Sequence, residues 1–337
     1  MISSDIYDFE NMKQVGLILG TMTFGESVFA PDVAQFIHAF LDAGYRELDT
    51  AYVYNDGVCE RLLGDVLPKL DRPYRIATKV NPRISGRLDG EAAYKQVNES
   101  LERMRLDRVD TVYLHFPDPA TPVTSVLQAM ADLHRQGKFC ELGLSNFPAW
   151  MVADVRHICD RNGWVTPTVY EGIYNPLTRK AETELNACLD HFGMRFNAYN
   201  PLAGGLLTGR YGAFEEAPTD GRFTHRPNYQ KRYWKKSCFD ALDVIKAAAE
   251  RNGITVIEAV YRWLAYHSML NGERGDAVLI GASKLSHLKQ NMDAIKAGPL
   301  PQDLVDAFDT AWMTAKGDSP EYFTLYRGKG SVGGETK

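Results

Sequence analysis

Residues 17–25 read LILGTMTFG, and this stretch decides the fold. With Val15 and Gly16 before it, the apolar run predicts a short buried strand that breaks into a loop. Two α/β architectures begin this way. A doubly wound dinucleotide-binding sheet needs G-x-G-x-x-G at this point, so that backbone can approach a pyrophosphate. Here Gly20 and Gly25 are too far apart for that fingerprint, and no other stretch of the chain carries it. A (β/α)8 barrel makes no such demand.

Working outward, strand-like runs alternate with helical ones. Pro31 opens a helix with Val33, Phe36, Ile37, Phe40 and Leu41 on one face, and Gly44 closes it. YRELDTA, YRIATKV (74–80), RVDTVYLHFPD (108–118), FCELGLSNF, PTVYEGIYN, MRFNAYNPLAGG and AVLIGAS (277–283) follow as strands, with amphipathic stretches between them. Eight units in strict alternation predict a (β/α)8 TIM barrel spanning 1–337 as one domain. Two segments exceed the repeat. Residues 201–237 read as a long loop after strand seven. Residues 301–337 read as a tail with a helical start, QDLVDAFDTAWMTA, and a loose end, KGSVGGETK.

Composition narrows the function classes. With 337 residues, 45% hydrophobic and 24% charged, the chain can bury a large core. A net charge of −5 gives no polyelectrolyte signal, so neither nucleic acid nor a membrane surface is an expected partner. RFTHRPNYQKRYWKK (222–236) mixes cations with aromatics, as single-strand binders do, but it falls where a barrel would hold a phosphate. MISSDIYDFE has no apolar core of a signal peptide, and no run reaches the ~18 residues of a spanning helix. Cys59, Cys140, Cys159, Cys188 and Cys238 are odd in number and scattered, which reads as reduced thiols in a cytoplasmic protein.

Barrels carry chemistry at the C-terminal ends of their strands. There the chain places Asp49 and Tyr54 after strand two, Lys79 on strand three, His115 on strand four, and Ser145-Asn146 on strand five. Glu171 and Tyr199 follow on strands six and seven. Each residue alone has an ordinary explanation: a cap, a turn aromatic, a solvated cation, a core histidine. Together they suit protonation of an oxyanion. An ammonium ~4 Å from a phenol contributes ~4 kcal/mol at an effective dielectric of ~20, enough to bring a tyrosine hydroxyl toward neutrality. Asp49 would keep Lys79 charged, Tyr54 would donate the proton, and His115 would polarise a carbonyl oxygen.

LGTMTFG, ELDTAYVYNDG, ATKV, YLHFPD, LGLSNF, YNPLAGGLLTGRY and IGASKLSHLKQN appear in the order of the aldo-keto reductase superfamily. The chain most resembles its aflatoxin-aldehyde reductase branch, which GRF, RYWKK and SPEYF also match. The resemblance covers about residues 15 to 325. It implies a barrel that binds NADPH without a Rossmann fold and a tetrad of Asp49, Tyr54, Lys79 and His115. The pro-R hydride of C4 would pass to an aldehyde or ketone, giving the alcohol. Ser145, Asn146 and Glu171 would hold the nicotinamide carboxamide, and Tyr199 would stack on its face. Asn200, Pro201, Leu202, Gly204, Leu206, Thr208, Gly209 and Arg210 would wrap the pyrophosphate. Gly20, Thr21, Met22 and Gly281 complete the implied lining. Arg222, Ser283 and Lys284 would take the 2′-phosphate, and His287, Gln290 and Asn291 the adenosine.

The branch usually has glutamine where this chain has Glu171, and an arginine where it has Thr324. No metal is implied, and a homodimer is in keeping with the branch. The rival reading keeps the barrel and nucleotide but makes it a sensing or scaffold subunit.

Overall fold

The computed structural model describes residues 14–216, 218 and 221–328. The readings of MISSDIYDFE and KGSVGGETK lie outside the described residues. Eight strands run parallel: β1 (Gly16–Gly20), β2 (Glu47–Asp49), β3 (Arg75–Val80), β4 (Val109–Leu114), β5 (Phe139–Ser145), β6 (Pro167–Ile173), β7 (Arg195–Tyr199) and β8 (Ala277–Ile280). Each bonds to the next and β8 returns to β1, so the sheet is a closed barrel, as LILGTMTFG predicts.

The helices in chain order are α1 (Asp32–Asp42), α2 (Val58–Val66), α3 (Pro82–Ser85), α4 (Gly90–Met104), α5 (Val123–Arg135), α6 (Ala149–Asn162), α7 (Leu185–His191), α8 (Arg222–His225), α9 (Pro227–Tyr233), α10 (Lys236–Arg251), α11 (Val256–Tyr266), α12 (Leu285–Ala294) and α13 (Gln302–Ala315). Their apolar stripes cover the outer face of the barrel. Val33, Phe36, Ile37, Phe40 and Leu41 of α1 are all buried, the helical spacing that the sequence shows. Among the described residues, no helix is long and apolar enough to cross a membrane.

Strict alternation does not hold between β7 and β8. The expected loop 201–237 contains a 3-10 turn (Ala203–Thr208), α8 and α9, and two longer helices follow. In α10, Ala241, Leu242, Ile245, Ala248 and Ala249 are buried at helical spacing. In α11, Thr255 accepts a bond from the Glu258 amide at 3.2 Å and caps the start. Both signals stand in the sequence, but the basic segment before them draws the eye. The tail helix α13 packs on α10. Beyond it the chain returns to the strand ends: the Thr324 amide bonds Asn146 O at 3.1 Å, and the Tyr326 amide bonds Pro117 O at 2.9 Å.

Inside the barrel, inward residues from alternate positions stack in layers, as parallel barrels require. Arg195 Nη2 bonds Glu141 Oε2 at 2.7 Å across the lower layer. Above it, Asn197 Nδ2 donates to the Tyr113 hydroxyl at 3.0 Å, joining β7 to β4. Gly143 makes room for that ring, since a Cβ there would stand 2.3 Å from Tyr113 Cδ1. The uppermost layer holds Asp49, Lys79 and Glu171.

Candidate active site

Three strands supply the centre of that layer. Lys79 is fully buried, with Nζ 2.5 Å from each oxygen of Asp49 and 2.9 Å from the Thr50 carbonyl. Glu171 reaches it from the opposite side: Oε2 is 3.3 Å from Nζ, within ion-pair distance but without a hydrogen bond. Burial works to lower Lys79, and the two carboxyl groups outweigh it, so its ammonium is held above the usual range. Burial raises Asp49, with Lys79 opposing. Burial and then the Asp49 charge push Glu171 well above the carboxylate range.

Tyr54 stands at the head of a tight turn in which Asn55 and Asp56 adopt left-handed backbone, which Asn and Asp tolerate. The Asn55 amide donates to Met22 O (2.9 Å) and Phe24 O (2.8 Å), binding this turn to the loop after β1. The Lys79 ammonium is 5.3 Å from the Tyr54 ring centroid. His115 packs edge-on to Tyr54 at 6.1 Å and stacks on Phe116 at 4.7 Å. Burial, Lys79 and Arg83 hold its imidazole well below the ordinary histidine range, so it is neutral.

Asparagines also end β5 and β7, with Asn146 at φ +62° and Asn200 at φ +61°. Asn146 Nδ2 donates to His115 O and to Ser145 Oγ, each at 2.9 Å, and Asn146 Oδ1 accepts from the Tyr199 hydroxyl at 2.8 Å. These residues surround a cavity of about 720 Å³.

Tyr54, His115, Asp49, Glu171, Ser145, Asn146 and Tyr199 lie on one part of its wall, with Gly20 and Met22. Asn200, Pro201, Leu202, Gly204, Thr208, Arg210 and Arg222 continue it, and Gly281, Ser283, His287, Gln290 and Asn291 complete the far side. Five expected residues are not on the wall. Lys79 sits beneath it. Thr21 bonds Asp49 O through its amide (2.9 Å) and its hydroxyl (2.8 Å), locking β1 to β2. Leu206 is buried in the core, Gly209 closes the 3-10 turn, and Lys284 is exposed at the cap of α12.

Sequence reasoning passed over several wall residues. Arg232 lies 5.6 Å from the centroid of the Tyr229 ring, which the expected Arg222 approaches to 5.0 Å, and Arg83 lies 4.0 Å over Phe116. Arg232 belongs to the basic segment that reads as a nucleic-acid signal, in which the sequence assigns only Arg222 to the cofactor. Thr324 lines the cavity, whereas Arg327 is exposed and does not. Asn81, which touches His115, went unnoticed because its role appears only across the strand ends.

The wall suits a dinucleotide. Three of its buried polar atoms have no hydrogen-bond partner: Glu171 Oε2, Asn200 Nδ2 and the Tyr261 hydroxyl. Gly204, at φ +70° with Tyr229 2.7 Å from where a Cβ would stand, leaves bare backbone beside the arginines.

Residues 16–313 match the Aldo/keto reductase family. The chain is 44% identical over 323 residues to "Aflatoxin B1 aldehyde reductase member 2" of Homo sapiens, covering 92% of this chain and 90% of that protein. It is 43% identical over 318 residues to "Aldo-keto reductase family 7 member A3" of Homo sapiens, covering 91% and 96%. It is 30% identical over 309 residues to "Aldo-keto reductase pigE" of Monascus ruber, covering 87% and 90%.

Proposed function

Because the chain belongs to the aldo/keto reductase family, whose members reduce carbonyls with a nicotinamide cofactor, we propose that it is an NADPH-dependent reductase of aldehydes or ketones in which Tyr54 is the proton donor. The observation that carries this reading is Lys79. A fully buried ammonium, clamped by Asp49 and 5.3 Å from the Tyr54 ring centroid, lies under one region of a cavity that elsewhere carries Arg210, Arg222 and Arg232. Charge at one place suits acid chemistry, and at the other suits phosphate.

Bound there, the reduced nicotinamide supplies a hydride to the carbonyl carbon. The protein does the rest. Tyr54 gives its hydroxyl proton to the carbonyl oxygen as negative charge develops there. Lys79 favours the phenolate that remains, and Asp49 fixes Lys79. His115, being neutral, orients the carbonyl as a hydrogen-bond donor rather than as a competing acid. Ser145, Asn146 and Glu171 hold the carboxamide, and Tyr199 supports the ring. Asn200, Pro201, Leu202, Gly204, Thr208 and Arg210 surround the pyrophosphate. Arg222, Ser283 and Lys284 would receive the 2′-phosphate, and His287, Gln290 and Asn291 the adenosine.

Turnover of a simple aromatic aldehyde with NADPH tests the reading. Tyr54→Phe keeps the ring and removes the proton, so kcat falls at least ~10²-fold while NADPH still binds. If the variant keeps more than half of wild-type turnover, with chemistry limiting the rate, Tyr54 is not the acid.

A further inference from the structure

Two carboxyl groups share one lysine in this site. Asp49 engages Lys79 Nζ with both oxygens, while Glu171, a residue of the cavity lining, brings a buried Oε2 within 3.3 Å of it without a hydrogen bond. All three side chains are at most 4% exposed. Were both carboxyls ionised, a net negative charge would be buried. The groups facing Glu171 from the other strands do not balance it: burial pushes the hydroxyls of Tyr113 on β4 and Tyr199 on β7 up, so both are neutral, and its strand neighbours Ser145 and Asn197 are neutral. The pair therefore keeps a proton. It sits on Glu171, because Asp49 already holds the ammonium with both oxygens.

Resting on the assignment of the nicotinamide to this wall, we propose that Glu171 is a redox-linked proton site, protonated opposite the reduced ring and ionised opposite the oxidised one. The oxidised ring carries a positive charge that the reduced ring lacks, and a carboxyl side chain in the cavity lining, ionised, answers it. The binding step balances without electron transfer. Neutral Glu171 plus NADP+ gives the Glu171 carboxylate, bound NADP+ and one proton released to solvent. NADPH binds with that proton retained. A glutamine at this position would be neutral in both states and could not make the distinction. Retention of the oxidised nucleotide thus strengthens as pH rises, which biases the site toward the oxidised cofactor in alkaline solution.

The test is calorimetric titration of the full chain with NADP+ and with NADPH, near neutral pH, in two buffers of different ionisation enthalpy. Both nucleotides carry the same 2′-phosphate, so its own titration cancels in the difference. The expected result is about one more proton released with NADP+ than with NADPH, and a Kd for NADP+ that falls up to about tenfold per pH unit while that for NADPH stays flat. In Glu171→Gln the difference in proton release vanishes. Equal proton release for the two nucleotides in the wild type overturns the proposal, without any need for the variant. An excess that persists in Glu171→Gln also overturns it. Absence of binding heat and of fluorescence quenching with either nucleotide sinks the cofactor reading itself, and the proposal with it.

Discussion

Asn81 presents its amide nitrogen to His115, with Nδ2 3.1 Å from the imidazole Nδ1. The orientation is fixed from the other end, because Asn81 Oδ1 accepts from the Arg83 amide at 3.0 Å. Gln96 pins the same residue through both backbone groups, accepting from its amide at 2.7 Å and donating to its carbonyl at 3.1 Å. Nδ1 is therefore an acceptor. In a neutral imidazole the proton then lies on Nε2, which makes His115 a donor toward the substrate.

Asn81→Asp tests this directly. The carboxylate still caps the Arg83 amide but can only accept at His115, which moves the imidazole proton to Nδ1. At about pH 9, where the imidazole is neutral, kcat/KM for an aldehyde should fall by about tenfold or more, with NADPH affinity nearly unchanged. Nitrogen shifts of the labelled ring should show the tautomer exchanged. Unchanged shifts and activity would remove Asn81 from the account.

Arg222→Ala tests cofactor choice. A charge-assisted contact contributes ~1.5–3 kcal/mol, so losing one should raise the Kd for NADPH about tenfold or more and leave NADH nearly unaffected. Quenching of protein fluorescence at moderate salt measures both. Parallel weakening of the two nucleotides would mean that Arg222 supports the loop rather than the phosphate.

Gly143→Ala tests the layered interior. Its Cβ would meet the buried Tyr113 ring at 2.3 Å, and that ring lies 5.5 Å from Lys79 Nζ. Overpacking of this kind costs ~1–3 kcal/mol. A lowered Tm with the far-UV spectrum retained is the expected outcome, together with weaker aldehyde turnover. A variant as stable as wild type would show that the ring has room to move.

Strand positions and the residues at their ends were legible because both follow local rules, the apolar run and the polar residue that stops it. Asp49, Tyr54, Lys79 and His115 come together once strand order is known, and LILGTMTFG excludes the competing order. What escaped depends on contacts between distant segments. Asn81 looks like a turn residue until His115 is opposite it. Arg232 looks like part of a basic run until its approach to the Tyr229 ring, shared with Arg222, is seen. The charge on Glu171 could be read, but its approach to Lys79 across the barrel could not, because β3 and β6 are not neighbours in the sheet. Helices α10 and α11 carry ordinary amphipathic spacing, but they break the strict strand-helix alternation that the rest of the chain follows.

Transfer of label is the most direct measurement of the central claim. The protein is mixed with an aromatic aldehyde and NADPH deuterated at the pro-R position of C4, and the alcohol is isolated. The account predicts one deuterium on the carbinol carbon, formed by wild type and slowed at least ~10²-fold in Tyr54→Phe. Unlabelled alcohol, or no alcohol from a protein that binds the nucleotide, would contradict it and leave the barrel as a nucleotide-sensing subunit.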